Sequence, residues 1–569
     1  MRFICAAFLA ALSLNAQPAP PIGSELRPLI DLYISDRGIL QRQYAVTASP
    51  VRRERMRTFY GEWKSRLGQT AFDKLSMDGQ VDYLLLASEL RSAMQKLDVD
   101  AKKQAEIETL APFAPKIIAL EDARRHIDKF DPKASAATLT AVRKEVDAQA
   151  KKIQQAIGQK DKLPAKTLAN DTAAAIEDLR KTLGTWFKFY NGYDPMFTWW
   201  NVEPHKTLDA SLKAYAALLR EKIAGVKPGD DTTIIGSPIG REALLVDLQR
   251  EWIPYSPEEL VQIADKEMEW CRREMVRAAK EMGFDNWRDA LEKVKGMYVE
   301  PGKQPELIKQ LAEEATEYVE KNDLVTVPAL AKETYRMEMM SPARQLVNPF
   351  FLGGEIIQVS YPTEEMAHDA KLMTLRGNNI YFSRATVFHE LIPGHHLQGF
   401  MHSRYREYRR PFGTPFATEG GALYWELLFW DLGFTKTPEQ RVGALFWRMH
   451  RSARIKFSLS FQLGTMTPEQ AVDMLVEQVG HERSTAEGEV RRSFGGNYSP
   501  LYQCAYLIGG LQIRQLHRDL VETGKMTNRQ FHDAILQQNR IPVELMRAAL
   551  TGQKLTADAK STWRFYPLP

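Results

Sequence analysis

Cysteine is nearly absent from this 569-residue chain: three occur, and one of them, Cys5, sits at the extreme N-terminus. Cys271 and Cys504 can form at most one disulfide, so no disulfide framework holds the fold. A large buried core must do so instead, and an apolar content of 44% can supply one. Long apolar runs are equally scarce. Beyond the N-terminus no segment offers about 18 consecutive apolar residues, which argues against any later membrane-spanning helix. Neither sign of charge prevails. The net charge of +4 is what 76 basic and 72 acidic residues leave, spread along the whole chain. There is no basic stripe for nucleic acid, and the partner is expected to be a peptide or a small amide-like molecule. No internal repeat of fixed period occurs, and nothing in the sequence bears on oligomeric state.

What is present begins with a short positive start, Met1-Arg2, an apolar run from Phe3 to Leu14, and Asn15-Ala16-Gln17 before a proline-rich stretch. The run is too short to span a bilayer and ends on a small residue, as a secretory signal peptide does. Residues 1–16 are read as that signal, with export to the periplasm or the medium. Cys5 lies too early to become a lipid-anchored cysteine, so no membrane attachment is expected after cleavage.

Helical punctuation dominates the rest. Ser256-Pro257-Glu258-Glu259, Thr437-Pro438-Glu439-Gln440 and Thr467-Pro468-Glu469-Gln470 follow one logic. A hydroxyl caps the first free amides, proline occupies a position that needs no N–H, and an acid or amide three residues on reaches back. Leu208, Leu212, Tyr215, Leu219 and Ile223 recur at the helical period. The Ala/Lys-rich region near Asp131–Lys166 is charged but periodic, and reads as helix. Strand signals are few, and Glu355–Tyr361 and Asn378–Phe382 are the better ones. The fold class expected is mainly α with a small central β-sheet. Gly225–Gly240, rich in glycine, proline and aspartate, marks a boundary. It divides a helical N-terminal region, 17–230, from a region carrying most of the histidines, 231–569, the two forming one compact unit.

Four of the eleven histidines fall between His389 and His402, in the run Thr386-Val-Phe-His389-Glu390-Leu-Ile-Pro393-Gly394-His395-His396-Leu397-Gln398. Two neutral imidazoles on one metal, with a carboxylate beside them to take a proton from water, are what a metallohydrolase requires. On a regular helix the second histidine would stand four residues on, but that position is Pro393. Pro393 has no N–H for the carbonyl of His389, and Gly394 tolerates unusual angles, so the helix is expected to bulge and bring His395 beside His389. His396 is the fallback ligand. Ser383 is the expected cap of this helix, entered from the Asn378–Phe382 strand. A third ligand is sought in Thr418-Glu419-Gly-Gly421-Ala-Leu-Tyr-Trp-Glu426, with Thr418 as cap and Glu419 opening a helix. Glu426, seven residues later on the same face, is placed to orient a ligand histidine.

At these residues the chain resembles the bacterial domain-of-unknown-function family 885, through H-E-x-x-P-G-H-H-L-Q, E-G-x-A-x-Y-x-E at Glu419–Glu426, and R-x-A-R at Arg451–Arg454. P-x-x-Q-x-x-Y-x-x-G at Pro500, Gln503, Tyr506 and Gly509 completes the pattern, which covers roughly the last 200 residues. That family is similar to helical zincin-type metallopeptidases, notably the carboxypeptidases of thermophilic bacteria. The resemblance implies a zincin-like helical architecture and one zinc ion per chain, held by His389, His395 and Glu419 with Glu390 as base. Two positions depart from it: Gly421 stands where a tryptophan is expected, and Gln462 where relatives carry a histidine. Either could alter specificity or weaken activity.

Tyr506 is the candidate donor to a developing oxyanion. Arg448, Arg451 and Arg454 recur every three residues. Arg451 or Arg454 is the better candidate for a substrate carboxylate, and such an arginine would favour carboxypeptidase or dipeptidase action. Arg514 has a weaker case, Arg384 is expected to pair with local acids, and His481-Glu482 reads as structural. The function expected is an exported zinc-dependent hydrolase of short peptides. The sequence leaves three rivals: a non-haem iron site, a metal-keeping but inactive binding protein, and a hydrolase of a non-peptide amide.

Overall fold

The computed structural model describes residues 23–159, 163–230, 233–345, 348, 350–495 and 498–568; the expected signal peptide lies outside them. The chain is 71% helical, with one small parallel sheet among the described residues. Strand β1 (Arg336–Met339) pairs with β2 (Ile356–Val359), in register from Arg336 opposite Ile356 to Met339 opposite Val359. Leu352 bridges back to Gln358 in the antiparallel sense. Among the described residues no helix is long and apolar enough to cross a membrane.

The helix starts follow the hydroxyl–proline rule. Ser256, Thr437 and Thr467 each close a reciprocal capping box with Glu259, Gln440 and Gln470. Leu208, Leu212 and Tyr215 are buried on the helix Pro195–Leu218, and Leu219 and Ile223 continue their face through a widened last turn. Gly225, at φ 86°, ends it, and the next helix starts at Gly240.

The strand expected at Asn378–Phe382 is not one. Asn379 caps a helix, Ile380–Glu390, its side chain accepting from the amides of Tyr381 and Phe382. A short apolar run cannot by itself distinguish strand from buried helix. The paired asparagines are cap chemistry, and they displace Ser383 from the capping role. Likewise the third-ligand helix spans Pro415–Asp431 and is capped by Thr414, not Thr418, with Pro415 in its first turn. Glu419 therefore lies one turn inside it.

Several cores stack along the chain. Ile107, Leu139, Trp186, Leu212 and their neighbours up to Ile223 form one core of their own. The earliest helices instead bury Tyr33, Trp63 and Leu86 with Phe388, Tyr424 and Leu545. Cys271 and Cys504 are free and buried in different cores, so the one conceivable disulfide is not made. The helix Pro415–Asp431 crosses the helix Tyr502–His517 at Gly420 and Gly509, where a Cβ on Gly420 would stand 2.5 Å from the Cα of Gly509. That close crossing sets Glu419 beside Tyr502 and Tyr506.

Candidate metal centre

The helix Ile380–Glu390 ends on its histidine and glutamate, and a second helix, His395–His402, starts on His395. The expected widening is present, but the helix also stops and restarts. The amide of Gly394 reaches back to the carbonyl of Phe388 (2.9 Å) and that of His396 to Leu391 (3.1 Å), both longer loops than an α-turn. The bond before Pro393 is cis. Gly394 admits no side chain, since a Cβ there would lie 1.8 Å from the carbonyl oxygen of His389. Folded this tightly, the chain sets the rings of His389 and His395 at 4.9 Å, nearly perpendicular.

Ligand-type atoms of His389, Glu390 and His395 lie within 4.8 Å of one another, a group able to hold a metal ion. One oxygen of Glu419 approaches both imidazoles, 3.2 Å from Nε2 of His395 and 3.8 Å from Nε2 of His389. Two donors sharing a zinc ion at about 2.1 Å stand about 3.4 Å apart in a tetrahedron, so these separations suit a common ion. Glu390 and Glu419 thus both flank the histidine pair. Glu419 reaches both ring nitrogens with a single atom and is the better third donor, which leaves Glu390 free for proton transfer. His396 points elsewhere: its Nε2 lies 2.7 Å from the carbonyl of Ala331.

The surroundings fix charge and orientation. Glu426 Oε1 is 2.7 Å from Nδ1 of His389, off the line of the N–H bond, so charge rather than an aligned hydrogen bond holds the pair. Arg451 donates to the same oxygen at 3.3 Å. Burial opposes charge on His389, yet Glu419, Glu426 and Glu390 outweigh it and push its pKa up to about 9. Burial would raise Glu419, but His395 and His389 hold it well below the usual carboxylate range. Burial also would raise Glu426, and Arg451 and His389 hold it low. Glu390 behaves differently: burial lifts it above the ordinary value, against the pull of both histidines. A set of carboxylates that keep their charge around two imidazoles is an environment for a cation.

The centre opens on a cavity of about 340 Å³, lined by Glu390, His395, Glu419, Arg451, Tyr502 and Tyr506 among others. Tyr506 lies parallel to His389 at 6.2 Å and under the guanidinium groups of Arg451 (4.7 Å) and Arg454 (4.5 Å). Arg454 is committed to a buried ion pair with Glu489, at 2.7 and 3.0 Å. Arg448 serves Glu267, Arg514 serves Asp431 and Arg384 serves Glu314, none of them at the centre. His481 is buried against His450 at 2.9 Å. Gln462 accepts from the amide of Ile239, so that departure from the family pattern holds a chain crossing and does not face the cavity. Gly421 is filled by a neighbour, since Nε2 of Gln398 lies 2.6 Å from where its Cβ would be.

Sequence reasoning passes over four participants. Tyr502 donates a short hydrogen bond to Glu419, and its only signal is a place four residues before Tyr506. Arg492 lines the cavity and leans on Glu489 at 3.8 Å. Arg540 lines it from a distant part of the chain. Gly353 covers Glu390 so closely that a Cβ would stand 2.3 Å from Oε2 of the carboxylate.

The model of a family described as bacterial protein of unknown function, DUF885, matches residues 34–550. A presumed lipoprotein of unknown function from Shewanella oneidensis is similar in structure, with TM-score 0.66 and 16% identity over 92% of this chain and 98% of that one. A presumed lipoprotein from Colwellia psychrerythraea follows, with TM-score 0.57, 16% identity, and 93% and 99% coverage. Both share the fold. The M32 carboxypeptidase from Deinococcus radiodurans aligns at TM-score 0.30 and 11% identity over 94% of this chain and 96% of that one, a level from which nothing follows here. No curated protein matches the sequence.

Proposed function

We propose that this chain, which belongs to the DUF885 family of bacterial proteins, is an exported zinc-dependent hydrolase of short peptides, of carboxypeptidase or dipeptidase type. One observation carries the reading: His389, His395 and Glu419 converge on one point with the buried carboxylate of Glu390 beside it, at the wall of a cavity of peptide dimensions. One zinc ion held by those three side chains would supply Lewis acidity to the scissile carbonyl and acidity to the attacking water.

The protein groups divide the remaining work. Glu390 takes the proton of the attacking water and passes it to the leaving amine; burial, which raises its proton affinity, suits it to carry that proton between steps. Tyr506, oriented by its stacking on His389 and by the two arginines above it, donates to the oxyanion. Arg451 and Arg454 keep the Tyr506 side of the cavity cationic, where the C-terminal carboxylate of the substrate lies. Tyr502 and Glu426 hold Glu419 and His389 in place.

The test is the metal content of the purified mature protein by elemental mass spectrometry, beside H389A and E390Q. About one zinc per chain, lost in H389A and kept in E390Q, with peptide hydrolysis abolished in both, is the expected result. Iron in place of zinc, or full turnover by zinc-loaded E390Q, would overturn it.

A further inference from the structure

The cavity carries more positive charge than its chemistry needs. Four arginines line it: Arg451, Arg454, Arg492 and Arg540. Outside the metal centre only two carboxylates among the described residues answer them, Glu426 at Arg451 and Glu489 between Arg454 and Arg492. A bound divalent ion would neutralise Glu390 and Glu419, which leaves two positive charges in excess. Cations held away from bulk water without counterions are costly unless an anion arrives to meet them. Three of the arginines gather on the Tyr506 side, where one carboxylate of the substrate is accounted for. Arg540 is not among them.

Arg540 is set by its backbone rather than by an ion pair. Its carbonyl accepts from the amide of Thr414, the cap of the helix that carries Glu419. The side chain of the preceding Asn539 donates to the carbonyls of His402 (2.9 Å) and Tyr405 (3.0 Å), which fastens the segment to the far end of the His395 helix. The stem of Arg540 crosses Gly413, where a Cβ would come within 2.5 Å of its Cδ. Among the described residues no carboxylate lies within ion-pair distance of its guanidinium group, and the charge that bears on it is another cation, Arg410. His402 stands about 10 Å along the helix from His395, so the Arg540 segment is fastened about that far from the end of the helix that carries His395. A glutamate side chain and an arginine reaching toward each other close a gap of that size.

We infer that Arg540 is a specificity residue that receives a carboxylate on the acyl side of the bond cleaved. The substrates are then short peptides with an acidic residue contributing the scissile carbonyl and a free C-terminal carboxylate. This rests on the hydrolase reading above and narrows it. Arg540 offers a fork of donors in a fixed place, which matches a carboxylate and not the neutral amide of the same shape.

Zinc-loaded mature protein is assayed on Glu-Ala and Gln-Ala, which differ only in that charge, and their binding is measured by calorimetry in the E390Q background. A kcat/KM ratio of about tenfold or more in favour of Glu-Ala is expected, carried by KM. It should collapse toward unity in R540Q and be partly restored in R540K. Using the ratio removes any general loss from imperfect folding. Equal cleavage of both peptides, or a preference that survives R540Q, overturns the subsite while the hydrolase reading stands. Binding of Glu-Ala that depends on Arg540 without cleavage upholds the subsite and overturns the hydrolase. Neither cleavage nor binding overturns both.

Discussion

Replacing Glu426 with glutamine keeps the shape of the side chain and removes its charge, which isolates what that charge does for His389. The carboxylate is buried, 2.7 Å from Nδ1 of His389 and 3.3 Å from a nitrogen of Arg451. It therefore performs two tasks, holding the imidazole so that Nε2 faces Glu419 and neutralising a buried guanidinium. Removing a partner that orients a metal-binding histidine costs about 10–100-fold in metal affinity. Glutamine keeps an oxygen dipole at the same place beside the ring but not the charge, so E426Q should fall near the tenfold end, about 1.4 kcal/mol, and E426A, which removes both, near the hundredfold end. The apo-protein, prepared with a chelator, is titrated with zinc against a chromophoric competitor at pH 7.5. Arg451→Met separates the two tasks, because it removes the counterion role and leaves the contact with His389. If Glu426 acts through the ligand, Arg451→Met loses less zinc affinity than E426Q. Zinc affinity of folded E426Q and E426A within twofold of the parent would refute the reasoning and leave Glu426 as no more than the counterion of Arg451.

Three further outcomes follow from the same geometry. G394A must push a methyl group into the carbonyl of His389, so it should lose at least about tenfold in zinc affinity, with a lower melting temperature read in the same samples. Y502F removes the hydroxyl that steadies Glu419, and about a tenfold loss of zinc affinity without a change in secondary structure is expected from competition titration and circular dichroism. Glu489, paired with Arg454 and held down to a pKa of about 2 against the penalty of burial, gives a pH signature. A depressed carboxyl stabilises the fold above its unfolded pKa and loses that contribution as pH falls through the folded one. Chemical denaturation between pH 5 and 2 should therefore show on the order of 3 kcal/mol lost, a slope that E489Q flattens while lowering stability at pH 7.

The parts of the centre legible in the sequence are those whose cause is local. Pro393 and Gly394 announce a break, and the density of histidines around them announces a candidate ligand pair, because one short stretch of backbone fixes both rings. The different settings of His395 and His396 are of the same kind, since the restart of the helix at His395 points successive residues in different directions. The helix starts at Thr437 and Thr467 read correctly for the same reason, as each box closes within four residues. The two misplaced starts were equally local. Asn379 outranks Ser383 as a cap, and Thr414-Pro415 repeats the Thr-Pro signature of those correctly read helices, four residues before the threonine taken for the cap.

What could not be read is set by helix crossings far apart in sequence. Tyr502 meets Glu419 across 83 residues, through a crossing that two glycines allow, and neither glycine says which side chains flank it. Arginines spaced three apart look alike on a helix face until their partners are known. Glu489 claims Arg454, Glu267 claims Arg448, and Arg451 is left to Glu426 and the cavity, so a single periodic run is divided among three environments. Arg540 shows the limit most plainly. It follows no motif and pairs with no acid among the described residues, and only its position against Thr414, His402 and the cavity wall separates it from any other arginine. Residues that choose a substrate need only face the space where it lies, and a chain can place them there from any helix. The proposed metal ligands have no such freedom, because their spacing must satisfy one small ion. Chemistry therefore leaves a compact trace in this sequence, and selectivity is written in the packing.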